Sequence, residues 1–223
     1  MQRTLFETLP VDGFCFDQAI RRRGFRLLAG VDEAGRGPLA GPVVAAAVIL
    51  PEGMNLSGVT DSKKVSPTRR EELVEKIHQV AVSVGVGWVE AQEIDRINIL
   101  QASLTAMVRA IQQLKVPPDL VLIDGPYSLP LSIPQRSVVK GDVRSLSIAA
   151  ASIVAKVHRD HLMRTYHELY PLYGFARHKG YPTQEHLQAL RRFGPCPIHR
   201  RSFHGVCSVK DTAYDATSGA NRP

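Results

Sequence analysis

The chain has 223 residues, 44% of them hydrophobic, enough to bury one sizeable core and too few for two full domains. Its 28 lysines and arginines outweigh 21 aspartates and glutamates for a net charge of +7, which points to a polyanionic partner such as nucleic acid. Three cysteines without a Cys-x-x-Cys pair argue against a disulfide framework, residues 1–26 lack the apolar core of a secretory signal, and the longest apolar stretch, 42–50, is too short to span a bilayer; the expectation is a cytoplasmic protein without a membrane contact.

After an amphipathic lead-in over residues 1–26, the run Leu27-Leu28-Ala29-Gly30-Val31 predicts a strand that delivers Asp32 and Glu33. Residues 42–50, continuously apolar, predict a second strand buried on both faces. Ser66 as N-cap and Pro67 at the first helical position announce a helix running to Val80. Gly85 and Gly87 alternate with Val84, Val86 and Trp88, so 81–90 reads as a third strand with one small-residue face, and the three strands as a meander. Ile97, Leu100, Leu104, Met107, Ile111 and Leu114 predict a helix over 97–115, stopped by Pro117-Pro118. A fourth strand over 120–123 ends on Asp124 and is broken by Gly125-Pro126; a fifth over 137–140 leads to Gly141-Asp142. A long alanine-rich helix over 145–170 and another over 183–192 follow, and the polar stretch from residue 205 onward reads as a disordered tail. The order indicates an α/β fold, a mixed β-sheet flanked by helices with a C-terminal helical extension, in a single domain over 27–204.

Asp32, Glu33, Asp124 and Asp142 all fall at or just past strand ends, where side chains from several strands converge. On a regular strand Asp32 and Glu33 would point to opposite faces, so joining them in one site calls for a local bend, which Gly35 and Gly37 permit. Gathered carboxylates raise one another's pKa unless cations neutralise them, and an all-oxygen ligand set favours Mg²⁺ or Mn²⁺. Two such ions about 4 Å apart can hold a phosphodiester and activate water. Each acid taken alone also fits an ordinary turn or cap carboxylate.

The ordered motifs tip that balance. Gly30-Val31-Asp32-Glu33-Ala34-Gly35-Arg36-Gly37-Pro38, running on to Ala47, closely resembles the first motif of ribonuclease HII. Asp61-Ser62-Lys63-Lys64, Ile123-Asp124-Gly125, Lys140-Gly141-Asp142, the stretch Ile148 to Lys156, Tyr173-Gly174-Phe175, His178-Lys179-Gly180-Tyr181 and His199-Arg200-Arg201-Ser202-Phe203 follow in that family's order. The resemblance implies a ribonuclease H-like fold with Asp32, Glu33, Asp124 and Asp142 as metal-binding catalytic acids, using Mn²⁺ or Mg²⁺. It implies an endonuclease that cuts the RNA strand of RNA–DNA hybrids and cuts 5′ to single ribonucleotides in duplex DNA, leaving 5′-phosphates, with roles in ribonucleotide and primer removal. It further implies that Gly35-Arg36-Gly37 reads the 2′-hydroxyl through its backbone and that Tyr181 packs on the next deoxyribose. Glycine admits that close approach, and the 2′-hydroxyl is what separates RNA from DNA.

Lys63, Lys64 and Lys179 are candidate phosphate contacts. His178 reads as an exposed loop histidine, and the helix bearing Ser152 and Lys156 as tight packing on the sheet. Cys196, His199, His204 and Cys207 match no common zinc finger, and Arg36-Gly37 stands where a P-loop needs Lys and Ser or Thr. A monomer is expected. The alternatives are a catalytically silent nucleic-acid-binding module, a ribonuclease HIII and a junction resolvase.

Overall fold

The computed structural model describes residues 13–54, 56, 58, 59 and 65–206. Five strands form one sheet: β1 (Leu28–Ala34), β2 (Val43–Ile49), β3 (Ser83–Val89), β4 (Leu120–Asp124) and β5 (Gln135–Val138), in the order β3-β2-β1-β4-β5. β3, β2 and β1 are the expected antiparallel meander, and β4 and β5 add in parallel on the far side of β1. All seven residues of β2 are buried, as its unbroken apolar run requires.

Helix α3 (Ala91–Gln112) covers one face of the sheet, its Ala102, Ala106, Met107 and Ala110 meeting Ala29, Val31, Ala45 and Ala47. The small-residue face of β3 is where α3 lies closest: a Cβ on Gly85 would sit 2.1 Å from the Ala110 carbonyl oxygen. Helix α5 (Leu146–Leu169) covers the other face, joined there by α2 (Pro67–Val80) through Leu73 and Ile77. Ser66, Ser145 and Thr183 cap α2, α5 and the C-terminal helix α7 (Gln184–Phe193), each accepting a backbone N–H. The lead-in supplies α1 (Gly13–Arg21), which buries Phe16 and Ile20 against Leu28, Leu122 and Ile148. From α1, the buried Asp17 accepts hydrogen bonds from the Ser145 hydroxyl and from the Ser147 amide and hydroxyl, fastening the start of α5.

Some boundaries differ from expectation for local reasons. β1 runs three residues further, because Asp32, Glu33 and Ala34 still pair with Ala46, Ala45 and Val44. β5 ends at Val138, since Lys140 adopts a left-handed conformation, φ 56°, that starts the one-turn helix α4 (Gly141–Arg144). α3 begins six residues early but breaks at Asn98, φ 66°, whose side-chain oxygen accepts from the Leu100 and Gln101 amides and restarts the helix. Gly205 and Val206, assigned to the tail, belong to the folded domain: Val206 is fully buried with Leu39 and Leu190. Residues 207–223, including Cys207, lie outside the described residues, as do Lys63 and Lys64. Among the described residues, no helix is long and apolar enough to cross a membrane.

Candidate active site

The parallel pairing of β1 with β4 matches Val31 to Ile123, which brings the next residues, Asp32 and Asp124, side by side at the same end of the sheet. α4 starts immediately beyond β5 and adds Asp142. All four predicted acids line one cleft of about 230 Å³, together with Gly35, Arg36, Gly37, Ser152, Lys156 and Tyr181. Asp32 and Glu33 reach it without the bend expected between them, for the strand pairing stays regular through Ala34; the irregularity begins at Gly35, φ 99°, while Gly37 carries no positive φ.

The acids are held by short contacts. Asp32 accepts from the Glu33 amide at 2.7 Å and from the Ser152 hydroxyl. Asp124 accepts from the Gly141 amide at 2.6 Å. Glu33 pairs with Arg36 at 3.3 Å, and Arg36 also bonds to Tyr127, with its guanidinium 5.8 Å from that ring. Burial, then the charges of Glu33 and Asp124, hold the Asp32 carboxyl well above the usual range. Burial raises Glu33 as well, with Asp124 adding to it against the pull of Arg36. This oxygen-rich, negatively charged cleft suits a hard divalent cation. Among the described residues no three His, Cys, Asp or Glu side chains already form a metal cage; Asp32, Glu33 and Asp124 are turned toward the partners just named.

Ser152 and Lys156, which the sequence places on the packing face of the helix, also line the cleft. They stand four residues apart on α5 and so share the face that looks into the cleft. Lys156 is paired with Asp160 at 2.6 Å. Lys179 does not line the cleft: its ammonium lies 2.5 Å from the Ala176 carbonyl oxygen at the end of α6 (Phe175–His178).

His178, expected in an exposed loop, is buried, and the correction follows from its bonds. Its Nδ1 accepts from the Gly180 amide, its Nε2 donates to the Tyr173 carbonyl, and its ring stacks on His186 at 4.5 Å. His186 Nδ1 can only donate to the Tyr181 carbonyl, so its Nε2 accepts from His199 Nε2 at 3.0 Å, and His199 Nδ1 accepts from the Cys196 amide. Both members of this chain must be neutral; burial first, and for His199 the neighbouring His186, push the pKa of His186 down to about 4 and that of His199 to about 3. The unfolded chain, with histidines near 6.5, therefore binds more protons than the folded one between about pH 6.5 and 3. Stability is expected to be unaffected by these groups above that window and to fall as pH drops through it. Replacing His199 with asparagine should flatten that part of a pH series of urea midpoints.

The family model of ribonuclease HII matches residues 29–206. The chain belongs to the ribonuclease HII family. A ribonuclease HII of Syntrophobacter fumaroxidans is 57% identical over 219 residues, 98% of this chain and 94% of that protein. One from Geotalea daltonii is 60% identical over 191 residues, covering 86% of this chain and 88% of that one. Among solved structures, the ribonuclease H2 of Pyrococcus horikoshii superposes with a TM-score of 0.69 at 27% identity, over 83% of this chain and 97% of the other. As a ribonuclease HII, the protein is an endoribonuclease of the ribonuclease H type.

Proposed function

We propose that this ribonuclease HII hydrolyses the RNA strand of RNA–DNA hybrids and cuts 5′ to single ribonucleotides in duplex DNA, leaving 5′-phosphate and 3′-hydroxyl ends, with Asp32, Glu33, Asp124 and Asp142 as its catalytic acids. The observation that carries this reading is the meeting of those four carboxylates with Gly35-Arg36-Gly37 and Tyr181 in one cleft. In the cell such an activity serves ribonucleotide removal from DNA and primer removal.

The carboxylates would hold Mg²⁺ or Mn²⁺, which when bound supplies charge neutralisation at the scissile phosphate and an activated water. To contribute a ligand, Glu33 would exchange its pairing with Arg36. The Ser152 hydroxyl and the Glu33 amide orient the Asp32 carboxylate, and the Gly141 amide orients that of Asp124. Lys156 places a cation at the cleft wall for the substrate backbone. A Cβ built on Gly37 would meet the Tyr181 ring at 3.8 Å, so the bare Gly37 backbone and the aromatic ring stand next to each other on the cleft wall, where one sugar can touch both. Tyr181 is 43% exposed and free to stack on it.

The assay is a DNA duplex with one ribonucleotide, incubated with and without divalent metal, reading cut position and end chemistry. A metal-dependent cut 5′ to the ribonucleotide is expected; cleavage of the all-DNA duplex, or binding without cleavage, would overturn the assignment. Gly37→Ala is accommodated sterically and is expected to cut the preference for a ribonucleotide over a deoxyribonucleotide by about tenfold, the scale of one lost hydrogen bond to a buried polar group. Initial rates on matched duplexes measure it.

A further inference from the structure

Arg159 and Arg200 are fully buried, and among the described residues neither makes a salt bridge to a carboxylate. Their hydrogen bonds go to backbone carbonyls, and the buried Arg159 Nη1 has no partner among the described residues. Arg200 Nε donates to Gly41 at 2.9 Å, Nη1 to Arg36 at 3.0 Å and Nη2 to Gly35 at 2.6 Å. Arg159 Nε donates to Pro42, and its Nη2 to both Ala40 and Lys179, at 3.0–3.1 Å. A buried guanidinium without a carboxylate in direct contact is costly, and an apolar side chain of similar size would serve packing better. Burial lowers the Arg200 pKa to about 9 and that of Arg159 to about 10, so both remain charged at neutral pH.

In a planar trans peptide the C=O of one residue and the N–H of the next point in opposite directions. The rule can be followed around this cluster. The Ala40 carbonyl faces Arg159 while the Gly41 amide bonds away to Ile198; the Lys179 carbonyl faces Arg159 while the Gly180 amide bonds away to His178. Arg200 turns the Gly35 and Arg36 carbonyls inward in the same way, which sends the Arg36 and Gly37 amides toward the cleft that these residues line.

We propose that Arg200, with Arg159 beside it, is a positioning residue for ribonucleotide discrimination: its guanidinium fixes two peptide planes so that the Arg36 and Gly37 N–H groups are presented together to the ribose. This rests on the reading of Gly35-Arg36-Gly37 as the sugar-reading segment. Arg200 touches no substrate; it acts through the backbone it holds. Lysine keeps the charge but offers three hydrogens on one atom, which cannot span three carbonyls.

The test compares affinities of the whole protein, by fluorescence anisotropy without added metal, for a duplex with one ribonucleotide and the matched all-DNA duplex. Arg200→Lys is expected to lower the affinity ratio about tenfold, and guanidinium ion in the low millimolar range to restore part of it in Arg200→Ala but not in Arg200→Lys. A folded Arg200→Lys protein, verified by its circular dichroism melt, with the parent's ratio would overturn the proposal. A parent that binds both duplexes equally would instead overturn the sugar-reading assignment beneath it. A measurement on the parent needs no variant: amide hydrogen exchange at Arg36 and Gly37 should slow on binding the ribonucleotide duplex and not the all-DNA duplex, and equal protection by both would likewise overturn it.

Discussion

Asp32→Asn is expected to abolish cleavage and, in metal-free buffer at neutral pH, to raise the melting temperature. The two effects have one origin. Asp32 is buried beside Glu33 and Asp124, and its carboxyl is held well above the usual range by burial first and then by those charges. A carboxyl whose folded pKa lies above its unfolded value favours folding only while protonated; that contribution is complete below about 3.9 and lost as pH rises through the folded value. At neutral pH the ionised side chain is therefore a burden that asparagine removes without changing shape, and its oxygen can still accept from Ser152 and from the Glu33 amide. What it loses is the negative charge through which Asp32 would hold a metal ion. Metal catalysis is worth several kcal/mol of transition-state stabilisation, so the rate should fall at least about 10³-fold. Single-turnover cleavage paired with thermal melts in EDTA measures both effects; a variant with near-parental rate, or one less stable without metal, would contradict this account of the site.

Gly30→Ala is expected to cost more stability than any other single-methyl addition to β1. A Cβ there would lie 2.1 Å from the carbonyl carbon of Ser147 and 2.3 Å from the Ile148 nitrogen. Both are backbone atoms at the start of α5, where the helix is capped by Ser145 and fastened to Asp17. No rotamer relieves such a contact, so either the strand or the helix must move. Overpacking of this kind costs about 3 kcal/mol or more, which for a chain this long lowers the melting temperature by about 6–12 °C. Activity should fall as well, because the same displacement shifts Asp32, two residues along the strand, against Ser152 on the helix. Differential scanning calorimetry with steady-state rates tests this; a melting temperature within a degree of the parent would show that α5 is seated more loosely than described.

Much of the frame was legible because it depends on short-range signals. The Gly125-Pro126 break after Asp124, an unbroken apolar run over 42–50 and serine or threonine caps before helices each have a local physical cause. Parallel pairing of β1 with β4, which brings Asp32 beside Asp124, was not, since strand order is a property of the whole sheet. Lys179 shows what a motif leaves unsaid: its ammonium is bonded to Ala176, and its carbonyl joins the Arg159 cluster, neither of which residue identity indicates. Arg159, Arg200 and His186 were invisible for a related reason. The arginines' partners are main-chain carbonyls, which leave no trace in residue identity, and those of His186 are the Tyr181 carbonyl and histidines brought to it only by folding. Ser152 and Lys156 did carry a signal, two polar residues one turn apart on an alanine-rich face, and it was read as packing.

Helix α5 carries Ser152 under the carboxylates and Arg159 under the Lys179 and Ala40 turns. Seven residues separate them, two turns, so both project from the same side, about 10 Å apart along the axis. The helix is thus a measuring rod: the interval between the carboxylate end of the cleft and the Ala40 and Lys179 turns is set by helical rise rather than by loop length. One residue inserted between Ser152 and Arg159 would swing one end about 100° away from the other, leaving each half intact and the interval lost.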